Sequence, residues 1–122
     1  MPRVVHFEII ADDAVRISKF YQNVFGWEVE KWDGPVDYWF LRTGNENEPG
    51  IDGAFGMRRD QDDFNANTIN VSDIDETVKQ IEANGGEIVH PKHTIPGVGH
   101  LAYFKDTEGN LWGIMQSDAS AK

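Results

Sequence analysis

Hydrophobic positions change period along the first half of the chain. From Val4 to Ile10 they alternate, with Val5, Phe7 and Ile9 on one face and His6, Glu8 and Ile10 on the other, which predicts a strand. The first set is apolar and suits packing on a helix. From Ala14 the apolar residues Ala14, Ile17, Phe20, Tyr21, Val24 and Phe25 recur at helical spacing. Asp12 or Asp13 stands where an N-cap accepts from unpaired backbone N–H groups, and Gly26 can take the positive φ of a helix end. Trp27–Trp32, Tyr38–Arg42 and Ile51–Met57 follow as strands, separated by the Asp33-Gly34-Pro35 turn and the polar loop Thr43–Gly50. Arg58–Asn65 is charged and aperiodic and reads as a linker.

The layout then repeats at a shift of sixty residues, which places Ile9 on Ile69, Asp13 on Asp73, Lys19 on Lys79, Gly26 on Gly86 and Val29 on Val89. Asn67–Val71 is a strand. Asp73 and Glu76 have the spacing of a capping box ahead of a helix that turns Ile74, Val78 and Ile81 inward and stops at Asn84-Gly85-Gly86. Glu87–His90 is a strand, Pro91–Gly99 a loop and His100–Lys105 a strand. The turn at residues 106–110 leads into Leu111–Gln116, and the last six residues read as a frayed tail. Each unit is β-α-β-β-β. The expectation is an α+β fold in which repeat units 4–60 and 65–116 make one domain spanning residues 1–122.

Composition narrows the function classes. At 122 residues the chain can bury a core without staples, and with no Cys it has neither disulfides nor thiolate metal ligands. No apolar run is long enough for a signal peptide or a membrane span, so the expectation is a cytoplasmic protein with no membrane partner. The formal charge of −10 repels phosphate backbones and argues against nucleic acid. Four Trp, seven Phe and three Tyr are enough to line a pocket as well as a core. No Ser–His–Asp pattern, phosphate loop or dinucleotide fingerprint is present.

Three stretches, VVHFEIIADD…ISKFYQNVFGWEVE, VSDIDETVKQIEANGGEIV and YFKDTEGNLWGI, resemble the vicinal oxygen chelate superfamily. That group holds glyoxalase I (lactoylglutathione lyase), bleomycin-resistance proteins, fosfomycin-resistance enzymes and extradiol dioxygenases. The likeness runs over nearly the whole chain, and its flavour is that of the small single-domain glyoxalase-related proteins. It implies two βαβββ units whose mixed sheet curls around a cup, and a homodimer as the default assembly.

In the metal-dependent members, the resemblance places N and O ligands on the first and last strand of each unit. His6 matches the first position. The internal repeat puts the second at Ala66 and the last-strand pair near Gly53 and Gly113, none of which carries a donor. His6 is therefore the one metal candidate, with His90, His93 and His100 able to contribute only by departing from the pattern. The expected cofactor is none. His6 and Glu8 lie two apart on one strand face, where an imidazole beside a carboxylate is a candidate general base and a wetted polar face is the alternative. Trp39, Phe55, Thr68, Asn70, His100, Tyr103 and Met115 are the candidate ligand-binding residues of the cup. Three functions follow: a binding protein of the bleomycin-resistance type, a His-based or metal-dependent lyase or isomerase of the glyoxalase type, and a non-catalytic dimeric interaction module. Fold alone does not choose between them.

Overall fold

The computed structural model describes residues 2–59 and 65–122. These residues form two compact units, His6–Asn65 and Ala66–Lys122, the latter together with Met1–Val5. Arg58 and Arg59 continue from the last strand of the first unit, while residues 60–64 of the expected linker lie outside the described residues. The fold class is α+β, as expected: each unit runs β-α-β-β-β.

In the first unit, β1 (Arg3–Ala11, of which the part from His6 on belongs to this unit) leads into α1 (Ala14–Phe25), followed by β2 (Glu28–Lys31), β3 (Tyr38–Arg42) and β4 (Gly53–Met57). The Asp13 carboxylate caps α1 by accepting from the Arg16 N–H at 3.0 Å. Gly26, at φ 73°, closes it with an N–H···O bond to Gln22. β1 and β4 are parallel, with Phe7 opposite Gly53 and Ile9 opposite Phe55, and β3 lies antiparallel to both β4 and β2. One face of these strands packs on α1. Ala11, Leu41 and Phe55 are its buried centre, with Phe7, Ile9, Ala14, Ile17, Trp27, Val29, Trp39 and Met57 around them. Only part of the predicted helix stripe is used: Ala14 and Ile17 join the core and Tyr21 stacks on Trp27, while Phe20, Val24 and Phe25 are each more than half exposed. The apolar stripe is thus wider than the part of the twelve-residue helix that joins this core.

In the second unit, β5 (Ala66–Asn70) leads into α2 (Ile74–Ala83), then β6 (Glu87–Ile95), β7 (Gly99–Lys105) and β8 (Leu111–Ser117). β5 and β8 are parallel, and β7 pairs antiparallel with both β8 and β6. Asp73 caps α2 through the Glu76 N–H at 3.1 Å. Ile74, Val78 and Ile81 pack with Ile69, Val71, Ala102, Phe104 and Ile114.

Two expectations about this unit are corrected. β6 continues past His90 to Ile95, through most of the segment read as a loop. Its register with β7 shifts on either side of His90, and such irregularities let an outer strand carry Pro91, which has no N–H to donate. The tail is not frayed either: the Gly97 N–H donates to the Ala121 carbonyl and the Asp118 N–H to the Val98 carbonyl, both at 2.9 Å. No helix among the described residues is long and apolar enough to cross a membrane.

Gly53 shows how tightly the first unit is packed. A Cβ there would lie 2.5 Å from atoms of the Phe7 ring, directly under α1's core, whereas a Cβ at Gly56 would meet only the Tyr38 ring, at 3.9 Å. We expect Gly53→Ala to lower unfolding stability by about 1–3 kcal/mol in urea titrations. Gly56→Ala should change it by less than about 0.5 kcal/mol.

Candidate functional site

The side chains of β1, β3 and β4 that do not face α1 define the far face of the first unit. His6 and Glu8 lie on it by alternation from Phe7 and Ile9. The ladder extends the same face across the sheet: Glu8 is opposite Ala54, Ala54 opposite Phe40, and Gly56 opposite Tyr38. β4 therefore shows only Ala54 and Gly56 between two strands that carry long polar and aromatic residues. With so little side chain in the way, the Tyr38 hydroxyl reaches over β4 to β1. It lies 3.0 Å from His6 Nε2 and donates to Glu8 Oε2 at 2.9 Å. His6 and Glu8, which are well separated along an extended strand, are bridged by the phenol.

Aromatic rings hold this bridge in place. Tyr38 meets Trp32 edge-on at 6.0 Å between centroids and Phe40 edge-on at 5.8 Å. His6, Glu8, Tyr38, Phe40 and Trp32 are all half-buried. Burial pushes the His6 imidazole below its ordinary pKa of 6.5, and the charges of Glu8 and Asp52 offset part of that shift. Asp52 is anchored in turn, accepting from the Thr43 N–H at 2.8 Å. Beyond the bridge the same face carries Arg42, paired with Glu30.

The structure separates the other candidates. Thr68, Asn70, Tyr103 and Met115 share the face of the second unit turned away from α2. Thr68 is opposite Gly113, Asn70 opposite Met115, and Tyr103 opposite Gly113. Trp39 and Phe55 are corrected. Their rings stack at 4.9 Å and 3° in the core beneath α1, because Trp39 is opposite Phe55 and Phe55 opposite Ile9, which packs there. His100 is corrected as well. It is opposite Gln116, whose side chain accepts from the Ile74 N–H at the start of α2, so it lies on the helix side. There it lies 2.9 Å from Thr94 Oγ1 and 3.3 Å from Asp118 Oδ2.

Tyr38, the centre of the bridge, escaped the sequence reading. Its signal was parity: once Leu41 is known to be buried, Tyr38 and Phe40 must point to the other face. An open cavity of about 380 Å³ lies elsewhere in this unit, lined by Asp12, Arg16, Ile17 and Phe20 among others. It offers less chemistry than the bridge, because Asp12 pairs with Arg58 and Asp13 is spent on the helix cap.

The family model described as Glyoxalase/Bleomycin resistance protein/Dioxygenase superfamily matches residues 3–114. The chain belongs to that superfamily. No curated protein matches its sequence. Among solved structures it is similar to a hypothetical protein from Bacillus halodurans C-125, with TM-score 0.74 and 14% identity over 99% of this chain and 98% of that one. It is also similar to methylmalonyl-CoA epimerase from Mycobacterium tuberculosis, with TM-score 0.70 and 12% identity over 94% of this chain and 87% of that one. A variant of the Streptomyces coelicolor epimerase in complex with 2-nitronate-propionyl-CoA gives TM-score 0.69 and 17% identity over 98% and 97%. At these identities the likeness is one of fold.

The metal ligands expected of a superfamily member can be tested on this ladder. β5 is displaced sixty residues from β1, but β8 is displaced fifty-nine from β4, since Glu8 is opposite Ala54 while Thr68 is opposite Gly113. The counterpart of Gly113 is thus Ala54, and Gly53 lies on the helix face. Neither Ala54 nor Gly113 carries a donor. A Cβ at Gly113 would come within 3.2 Å of both Thr68 Oγ1 and the Tyr103 ring, so a larger residue there would need both side chains to give way. His90 and His93 are exposed on β6, and His100 is on the helix side of the second unit. Among the described residues no three His, Asp or Glu side chains are grouped to hold a metal ion. The donor set does not fit the superfamily's metal centre.

The lowered His6 pKa has a consequence for stability. Below pH 6.5 the unfolded chain takes up a proton that the folded imidazole resists, so stability falls as pH drops from 6.5 toward the folded midpoint. We expect histidine NMR to put the His6 midpoint below 6.5, and Glu8→Gln, which removes a charge that raises it, to lower the midpoint further. In His6→Ala, urea titrations between pH 5 and 7 should show a shallower decline in stability.

Proposed function

We propose that the far face of the first unit binds a small organic molecule, recognised by the His6–Tyr38–Glu8 chain and walled by Trp32 and Phe40. The hydrogen-bonded chain carries this reading. A few convergent polar groups set among aromatic rings are the usual composition of a small-molecule site. β4 contributes only Ala54 and Gly56 to this face, small residues that let Tyr38 lie across the strand to reach β1.

Charge narrows the ligand class. Two of the structural neighbours are named for an acyl-CoA, which is an anion. Here the far face presents Glu8, Glu28, Glu30 and Asp52, with Arg42 already held by Glu30. Like charges at short range disfavour an acyl-CoA and favour a neutral or cationic molecule. In this proposal a ring stacks near Tyr38 and Phe40, and a polar group hydrogen-bonds the chain.

Trp32, edge-on to Tyr38, supplies a fluorescence signal. Titration with a panel of neutral and cationic aromatics, including indole and benzylamine, should quench it saturably. Tyr38→Phe should weaken binding by about tenfold, the cost of one hydrogen bond. Phe40→Ala should weaken it at least as much. Dissociation constants unchanged in both variants would remove the site.

A further inference from the structure

Simple alternation along β6 would put His90 and His93 on opposite faces of the strand. The ladder reverses that. His90 is opposite Tyr103 and His93 opposite Leu101, so three steps along β6 match two along β7. One residue between the histidines is surplus to the pairing, which makes a β-bulge. Residues opposite each other in an antiparallel pair share a face, and Tyr103 and Leu101, two apart on β7, share one with each other. Both histidines accordingly stand on the face of the second unit turned away from α2, as same-face neighbours along the strand. The edge-on contact of His90 with the Tyr103 ring, 5.7 Å between centroids, agrees with this placement.

The residues between the two histidines hold the bulge. Pro91 has its φ set by its own ring and brings no N–H to the ladder. Lys92 turns the other way: its Nζ lies 3.0 and 3.2 Å from the two carboxylate oxygens of Asp75, in the first turn of α2. The ammonium next to the histidines is thus held by an acid on the helix side. His90 and His93 are both exposed, so an ion in solvent reaches them.

We propose that His90 and His93 form a two-imidazole chelate for a divalent late first-row metal ion (Cu²⁺, Ni²⁺ or Zn²⁺), with water completing the coordination. Imidazole nitrogen suits these ions, whereas Mg²⁺ and Ca²⁺ take oxygen ligands. Same-face neighbours on a strand stand about 6–7 Å apart along it, within the span of two rings that each bind one ion at about 2 Å. The site is separate from the superfamily's metal positions, which fall on β1, β4, β5 and β8, and it does not depend on the binding reading for the first unit. Two protein ligands make an open site from which the ion exchanges, not a closed structural one. Affinity rises from Ni²⁺ to Cu²⁺ and falls again at Zn²⁺.

Calorimetric titration of the tag-free chain with NiCl₂, CuCl₂, ZnCl₂ and MgCl₂ tests the site. The three transition ions should bind and Mg²⁺ should not. His90→Gln and His93→Gln should each weaken Ni²⁺ binding by about tenfold or more, because the second imidazole binds intramolecularly once the first holds the ion. His100→Gln, which removes an imidazole from the helix side, should leave it unchanged. Lys92→His combined with His93→Lys keeps two imidazoles but sends one to the helix side, so it should weaken binding as the single variants do. In a strand without the bulge that exchange would bring the imidazoles onto one face and tighten binding. Binding retained or tightened by the exchange, or unchanged in either single variant, overturns the proposal. A readout without variants is Cu²⁺ broadening of the Tyr103 ring signals in NMR, expected because that ring touches His90. Tyr103 signals that stay sharp at saturating Cu²⁺ overturn the proposal as well.

Discussion

The parallel pairing of β1 with β4 decides which side chains each face of the first unit presents. Strand side chains alternate, so this one register sends Phe7, Ile9, Phe55 and Trp39 under α1 and turns His6, Glu8, Tyr38 and Phe40 away from it. A slip of one residue would exchange the two sets and bury an imidazole and a carboxylate against a helix. The close fit of Gly53 beneath Phe7 resists that slip, because only a residue without a side chain can stand there. The core and the candidate site are two sides of one constraint.

Small residues on β4 do a second job. Ala54 and Gly56 leave open the lane through which Tyr38 reaches from β3 to β1. The phenol couples two groups that the strand by itself keeps apart. A charged group costs less to half-bury when it has a hydrogen-bond partner, and Glu8 has Tyr38. The exposed Asp52 and Glu30 are held by Thr43 and Arg42. His6 takes the opposite course and favours its neutral form.

Membership of the superfamily accounts for the doubled βαβββ layout and not for the chemistry. The superfamily's metal positions are held here by His6, Ala54, Ala66 and Gly113, and three of those four have no donor atom. The second unit places Thr68, Tyr103 and Met115 together on its own far face. Where the first unit presents His6 and Glu8, the second presents Ala66 and Thr68, so the two copies of one layout have diverged in what they present.

Local signals in the chain determined a good deal by themselves. The Asp13 and Asp73 caps, the Gly26 stop, the existence of most strands and the repeat of one layout follow from short-range chemistry: caps, turns and side-chain period act within a few residues. The placement of His6 and Glu8 on the same face, away from the helix, was equally legible in the alternation of β1. Partnership across strands was not. A shift of sixty aligns Gly53 with Gly113, yet β8 is offset by fifty-nine, and one residue is enough to reverse the face in a pleated strand. Trp39, Phe55 and His100 were misplaced because aromatic and imidazole side chains are at home on either face, and only the ladder chooses. Tyr38 became visible as the bridge only once β4 stood between β3 and β1, since a hydrogen bond between residues thirty apart depends on which strand lies between them and how small its side chains are.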